Sequence, residues 1–154
     1  MTVPGPFSLV HVVYNSISNL RTQDAQVACF RNAAAHLSRG GRFVVELWVP
    51  QLRTLPPGQT ATVFAARPGY LGVDTYDTLE QQVVSHHVWF GDENAMTDRE
   101  ARIGRSRHRY VWPAELDLMA RLAGFELESR HAGWSHEPFT ADSTSHVSVY
   151  RLTA

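Results

Sequence analysis

Two uninterrupted apolar runs, FSLVHVVY (7–14) and FVVELWV (43–49), do most to limit what this chain can fold into. A strand wet on one face alternates apolar and polar residues. A run apolar at nearly every position reads instead as a strand covered on both faces, as in parallel sheets. Between the runs the pattern is helical. Thr22 is placed to cap a helix, and Asp24 falls in the first turn, where the helix dipole favours an anion. Val27, Phe30, Ala34 and Leu37 then recur at spacings of three and four and mark one buried face. Gly40-Gly41 reads as the stop, with Arg39 in the last turn. Strand, helix and strand in about 45 residues make a βαβ unit, so the strands at 7–14 and 43–49 are expected to be parallel neighbours. Pro50 closes the second.

The texture changes after LPPG (55–58). TATVFAA (60–66), LGVDTYD (71–77), LEQQVVSHHVWF (79–90) and ARIGRSRHRYVW (101–112) read as strands of an antiparallel layer. They are broken by RPG, the Asp77-Thr78 region and GDENAMTDRE (91–100). In the last strand Arg105, Arg107 and Arg109 point one way, and Ser106, His108 and Tyr110 the other. The layer, 59–111, is expected to be an insertion over one end of the parallel sheet. The α/β part is expected to occupy 1–58 and 112–154 of a single domain. Pro113 suits the first position of a second helix, with Leu116, Met119, Ala120 and Ala123 on its buried face and Gly124 at its end. FELESRHAGW (125–134) and SHVSVYRL (145–152) read as two closing strands, with EPFTADST (137–144) as the loop between them.

Composition removes several classes of function. The formal net charge is −1, so no global field favours nucleic acid or an anionic membrane. A single cysteine, Cys29, precludes an internal disulfide framework and suits a reducing cytoplasm. No stretch approaches the ~20 apolar residues that span a bilayer. The five arginines of REARIGRSRHRYVW could read phosphate, but the acidic residues balance the basic ones and a solvated strand face is the simpler reading. His86 and His87 are adjacent on a strand and point to opposite faces. They cannot form a metal pair, no HExxH or CxxC spacing occurs, and no metal is expected.

The segments FSLVHVVYNSISNL, HLSRGGRFVVELWVP, PAELDLMARLAGFEL and SHVSVYRL together resemble the C-terminal half of a class I S-adenosylmethionine-dependent methyltransferase. In that family the fourth strand ends near an Asn. An L-x-x-G-G-x-hydrophobic stretch leads into the fifth strand. A P-x-E-L-x-x-L-x-x-A-G-F helix precedes a final hairpin; here Met119 takes a usual Leu position. The β-rich insert is similar to that of small-molecule N-methyltransferases, including those acting on amino sugars. The resemblance implies a partial Rossmann-like α/β sheet, strands four to seven of the family, with an inserted antiparallel β layer. It implies that the last strand lies antiparallel between 43–49 and 125–134.

The resemblance also implies that the family's first three strands are missing, roughly 90 residues at about 30 per βαβ unit. With them go the glycine-rich loop and the acidic residue that hold the cofactor. No GxGxxG stands behind a strand here. A remnant, a mis-started or trimmed chain and half of a split enzyme all fit this pattern. The strand at 7–14 would then be an edge needing cover, from a second copy or from the missing half.

By the same resemblance Tyr14 and Asn15 border the methionine end of S-adenosylmethionine and the substrate. The alternative for Asn15 is a turn residue. Asn19, Glu46, Trp48, Tyr110 and Trp112 are candidates for contact with a small-molecule substrate. Glu46 within an apolar strand must be paired or wetted, so a structural hydrogen bond is its alternative. Methylation of an amine needs a deprotonated nitrogen, and His86 or His87 could take that proton. The implied activity is methyl transfer. The alternative is a non-catalytic binding or pairing module.

Overall fold

The computed structural model describes residues 4–91 and 101–153. Most of the predicted break at 91–100, and Arg99 and Glu100 of the arginine run, lie outside them. The chain divides into two compact units, Met1–Gln51 with Val111–Ala154, and Leu52–Tyr110.

The first unit is a four-stranded mixed sheet with two helices. In chain order these are β1 (Phe7–Val12), α1 (Gln23–His36), β2 (Leu37–Trp48), α2 (Pro113–Leu122), β7 (Phe125–His131) and β8 (Ser145–Leu152). The sheet order is β1-β2-β8-β7. β1 and β2 are parallel, and β8 runs antiparallel between β2 and β7, as expected. The core gathers on one ring. Phe30 of α1 is fully buried and meets Phe43, Phe125 and Tyr150 edge-on at 5.0, 6.2 and 5.6 Å. Each such side chain is worth ~1.5–3 kcal/mol in burial, and the ring pairs add to that.

Four expectations need correction. The helix does not run to Gly40-Gly41. It ends at His36, whose Nδ1 lies 2.8 Å from the Asn32 carbonyl, and Leu37 already has strand geometry. Arg39 is therefore in β2 and not in a helical turn. The glycines serve a kink inside the strand. Pairing jumps from Phe7↔Leu37 to Leu9↔Arg42, which sets residues 38–41 opposite Ser8 alone. Gly40 takes φ +76°, and a Cβ on Gly41 would lie 2.8 Å from the Ser38 carbonyl oxygen.

The first apolar run is covered on one face only, and the strand ends at Val12. Val10 and Val12 pack against the core, whereas Phe7 and Leu9 are 37% and 52% exposed. Among the described residues β1 pairs only with β2, so it is an edge. β7 stops at His131, short of 134, because the chain folds back: the Ala132 N–H donates to the Glu137 carbonyl at 2.8 Å. The last strand of the antiparallel layer ends at Arg109, short of 112, where the Tyr110 N–H donates to the Gln81 carbonyl at 3.1 Å.

Part of the core is polar. Arg130 donates to Asp117 Oδ1 and Oδ2 at 2.5 and 3.2 Å, to Ser148 Oγ at 2.8 Å and to the Tyr150 hydroxyl at 3.0 Å. Tyr150 in turn donates to Asp117 at 2.8 Å. His146 Nδ1 sits 2.8 Å from Ser148 Oγ, while its buried Nε2 bonds nothing among the described residues. Burial, and then the Arg130 charge, push the His146 imidazole down to about 4.

The second unit is an antiparallel meander: β3 (Ala61–Arg67), β4 (Tyr70–Asp77), β5 (Gln82–Phe90) and β6 (Ala101–Arg109), in that order. Arg105 and Arg107 are exposed, but Arg109 is buried and donates to Gln81 Oε1 at 2.8 Å, so the arginine face is not uniformly solvated.

Candidate functional site

In an open α/β sheet, ligands gather beyond the carboxyl ends of the parallel strands. Tyr14 and Asn15 follow β1 there, and Glu46 and Trp48 lie at the end of β2. The structure brings these four together. Tyr14 and Asn15 both take left-handed backbone geometry, φ 57° and 56°. That is unfavourable for Tyr in particular and persists only when neighbours over-determine it. Glu46 does so from two directions. Its Oε2 accepts the Tyr14 N–H at 2.7 Å, and its main-chain carbonyl accepts the Asn15 N–H at 3.2 Å. Asn15 Oδ1 accepts the Trp48 N–H at 3.3 Å, and Asn15 Nδ2 donates to Ser18 Oγ at 2.9 Å. Asn15 thus does act as a turn residue, while tying the ends of β1 and β2 together. Asn19 closes the 3-10 turn Ser16–Asn19 and is exposed.

Trp134 completes this cluster. Its indole N–H donates to Glu46 Oε1 at 3.0 Å. The loop that carries it is braced by the Ala132–Glu137 bond and by the His131 and His136 rings, edge-on at 4.7 Å. At Gly133 the turn is tight: a Cβ would lie 3.0 Å from the Glu137 Oε2 carboxylate oxygen. Sequence reasoning missed Trp134 because it placed 125–134 in one strand. The only local hint is Gly133-Trp134-Ser135, where apolar alternation has already stopped.

His86, His87 and Tyr110 lie in the second unit, and Trp112 caps α2 in the first. His86 Nε2 is 3.0 Å from Thr75 Oγ1. His87, on the opposite face, has Nδ1 2.7 Å from the Tyr70 hydroxyl and stacks on Trp89 at 5.8 Å. Its cross-strand neighbours are Gly72 and Gly104. A Cβ at Gly72 would run into the Phe64 ring, and one at Gly104 would press on the Trp89 ring at 3.0 Å. The same face carries Tyr76, pushed up to about 12 by burial and then by Asp74, and His108, held down chiefly by burial. Tyr110 is buried, edge-on to Tyr76 at 6.1 Å. Among the described residues no group of three or more His, Cys, Asp or Glu could hold a metal ion, and no helix is long and apolar enough to cross a membrane.

Comparison with protein-family profiles and with curated proteins finds no match. Solved structures do match. Over 96% of its length the chain is 36% identical to the CcbJ methyltransferase from Streptomyces caelestis, with a TM-score of 0.82. Over this span the chain is similar to a methyltransferase, in line with the resemblance read from its sequence. It spans 61% of the CcbJ chain. The fold also matches an S-adenosylmethionine-dependent methyltransferase from Clostridium acetobutylicum, 11% identical with a TM-score of 0.76 over all of this chain and 61% of that one. CalS10, an amino pentose methyltransferase from Micromonospora echinaspora, matches at 19% identity and a TM-score of 0.70, over 99% of this chain and 61% of that one.

These residues do not by themselves fit the family's cofactor. A cradle for a nucleoside needs glycine backbone close to the ligand at a strand's carboxyl end. The described glycines with positive φ are Gly40, Gly58, Gly69 and Gly124. None follows the carboxyl end of β1 or β2, and the N–H groups that do stand there, those of Tyr14 and Asn15, are taken by Glu46.

Proposed function

We propose that this chain supplies the acceptor side of S-adenosylmethionine-dependent methyl transfer to a small molecule, with the donor held by a further part of the domain. The observation that carries the reading is the braced Tyr14–Asn15–Glu46–Trp48 constellation at the ends of two parallel strands, in a chain 36% identical to a methyltransferase. Transfer of this kind depends mainly on holding acceptor and methyl carbon in line, which suits a site with fixed backbone and no nucleophilic side chain. Tyr14 and Asn15 line the methyl end. Glu46 and Trp48 face the acceptor, and Asn19 and Trp112 are assigned further acceptor contacts. An acceptor amine must lose a proton to attack. The residues proposed from the sequence as proton acceptors, His86 and His87, lie in the second unit, where Tyr70 and Trp89 hold the His87 ring.

The β1 edge favours a second reading, a pairing module. Its Phe7 and Leu9 are exposed, and its outer backbone groups are open to another strand. The remaining strands of a methyltransferase domain, or a second copy of this chain, would cover it. One experiment separates the readings. The purified chain is mixed with a polypeptide carrying the first three strands of a close relative, and transfer of a labelled methyl group to small amines is followed. Transfer in the mixture but with neither part alone supports the acceptor-side reading. Association without transfer leaves the pairing module.

A further inference from the structure

The turn that carries Trp134 also holds a pair of histidines. β7 ends at His131, and the chain folds back at once. The Ala132 N–H donates to the Glu137 carbonyl at 2.8 Å, Ser145 Oγ donates to the Ala132 carbonyl at 2.8 Å, and His131 bridges to Pro138. His136 closes the turn in left-handed geometry, φ 64°. Across this stem the His131 and His136 rings meet edge-on at 4.7 Å. At the tip, Trp134 is tied by its indole N–H to Glu46 Oε1 at 3.0 Å. One cross-strand row sets the direction of that tie. Glu46 of β2 is opposite Val147 of β8, and Val147 is opposite His131 of β7. The turn therefore bridges from β7, past β8, to Glu46. The other oxygen of Glu46 holds the Tyr14 N–H at 2.7 Å, in a backbone of φ 57°. Named contacts thus run from the histidine pair through Trp134 and Glu46 to the end of β1.

An edge-on pair of neutral rings is favourable, because the edge of one is positive and the face of the other negative. A first proton is tolerated, since a cation is also attracted to a ring face. Two protons put like charges in contact. Histidine is the side chain that ordinarily changes charge between about pH 5 and 8. His131 is half-buried and His136 exposed, so solvent protons reach both. The charged groups on this side are the Glu137 carboxylate, folded back over Gly133, and Glu46 at the far end of the row, and both ease proton uptake. β8 offers His131 only Val147, and Arg130 is turned into its network with Asp117 and Tyr150. We infer that His131 and His136 form a pH-sensitive latch: with both rings protonated the stem of the turn parts and Trp134 leaves Glu46. With the pair neutral the latch is shut, and Glu46 keeps both of its N–H partners. With the pair charged, Glu46 loses the indole and the Tyr14 backbone loses a fixed brace. Any bearing on methyl transfer rests on the acceptor-side reading. The latch itself is measured on the chain alone, with neither donor nor acceptor, so the two fail separately.

The test is a pH titration of the purified 154-residue chain, followed in proton–nitrogen correlation spectra. The reporter is the Trp134 indole N–H, assigned by Trp134→Phe. From about pH 8 to about pH 5 that resonance should leave its hydrogen-bonded position along a sigmoid, and the Tyr14 amide should follow with the same midpoint. The amides of Phe43 and Phe125 in the core should stay in place, which separates an opened latch from an unfolding chain. Two variants remove the charge in different ways. His131→Phe keeps an edge-on ring that cannot be protonated, and His136→Asn keeps a residue that tolerates the left-handed backbone. Each should hold the Trp134 resonance near its position at about pH 8 across the whole range. A Trp134 resonance that stays fixed down to about pH 5, one that moves without Tyr14, or one that titrates as before in either variant would overturn the latch.

Discussion

The two units are built on different principles. In the first, two helices press one face of a sheet into a core with Phe30, Phe43, Phe125, Leu116 and Tyr150 at 0–1% exposure. In the second, most side chains of the corresponding sheet are half-exposed or exposed. Val63, Phe64 and Ile103 are 57%, 45% and 57% exposed, and no described residue of the unit joins the buried core cluster. The ladder of β3 to β6 is long and regular, and its polar residues pair across strands: Tyr70 with His87, Thr75 with His86, Arg109 with Gln81. Close packing gives the first unit its stability, whereas backbone pairing and local side-chain bonds shape the second. The tightly braced cluster belongs to the packed unit.

The contrast breaks most easily at the aromatic hub. Phe30→Ala should cost about 3–5 kcal/mol, the range for deleting a buried aromatic, whereas Phe64→Ala at a 45% exposed ring should cost about 1 kcal/mol. Urea denaturation read by midpoint compares them. Equal losses would remove the distinction between the units.

A pH effect comes next. His146 lies near 4 in the folded protein against an ordinary 6.5. Between those values the unfolded chain binds the proton and the folded one does not, so stability falls as pH drops from 6.5 towards 4. The shift corresponds to about 3 kcal/mol. His146→Gln should flatten that part of the stability–pH curve, and an unchanged slope would mean that another group carries it.

Gly40→Ala should cost about 1 kcal/mol through its φ of +76°, seen as a small fall in melting temperature. Arg42→Ala should do nothing measurable to melting. Its 2.8 Å pair with Glu128 is on the surface, where solvent and salt screen it.

How far the sequence spoke follows from range. The β1–α1–β2 unit, the Thr22 cap, the Pro113 start and the alternation of the meander all depend on residues within a few positions of each other, and periodicity shows them. The end of α1 was misread because Gly-Gly is the commonest stop signal, and only the pairing of β1 with β2 shows that it serves a strand kink. The exposure of Phe7 and Leu9, 37% and 52%, was hidden because an apolar run does not say how many neighbours it has. At the site, Tyr14, Asn15, Glu46 and Trp48 were legible as strand-end residues. Trp134 was not, since it reaches Glu46 across 88 positions of sequence. The Arg130–Asp117–Tyr150 network was equally silent, because no local pattern distinguishes a buried arginine from a solvated one.

The central claim is that these residues form the acceptor side of a methyltransferase site and not its donor side. Calorimetric titration of S-adenosylmethionine into the purified 154-residue chain tests it most directly. Without a glycine cradle the ligand cannot offset the ~4–15 kcal/mol cost of association, so no saturable heat should appear until a polypeptide with the first three strands is added. A low-micromolar dissociation constant for the monomeric chain alone would contradict the claim.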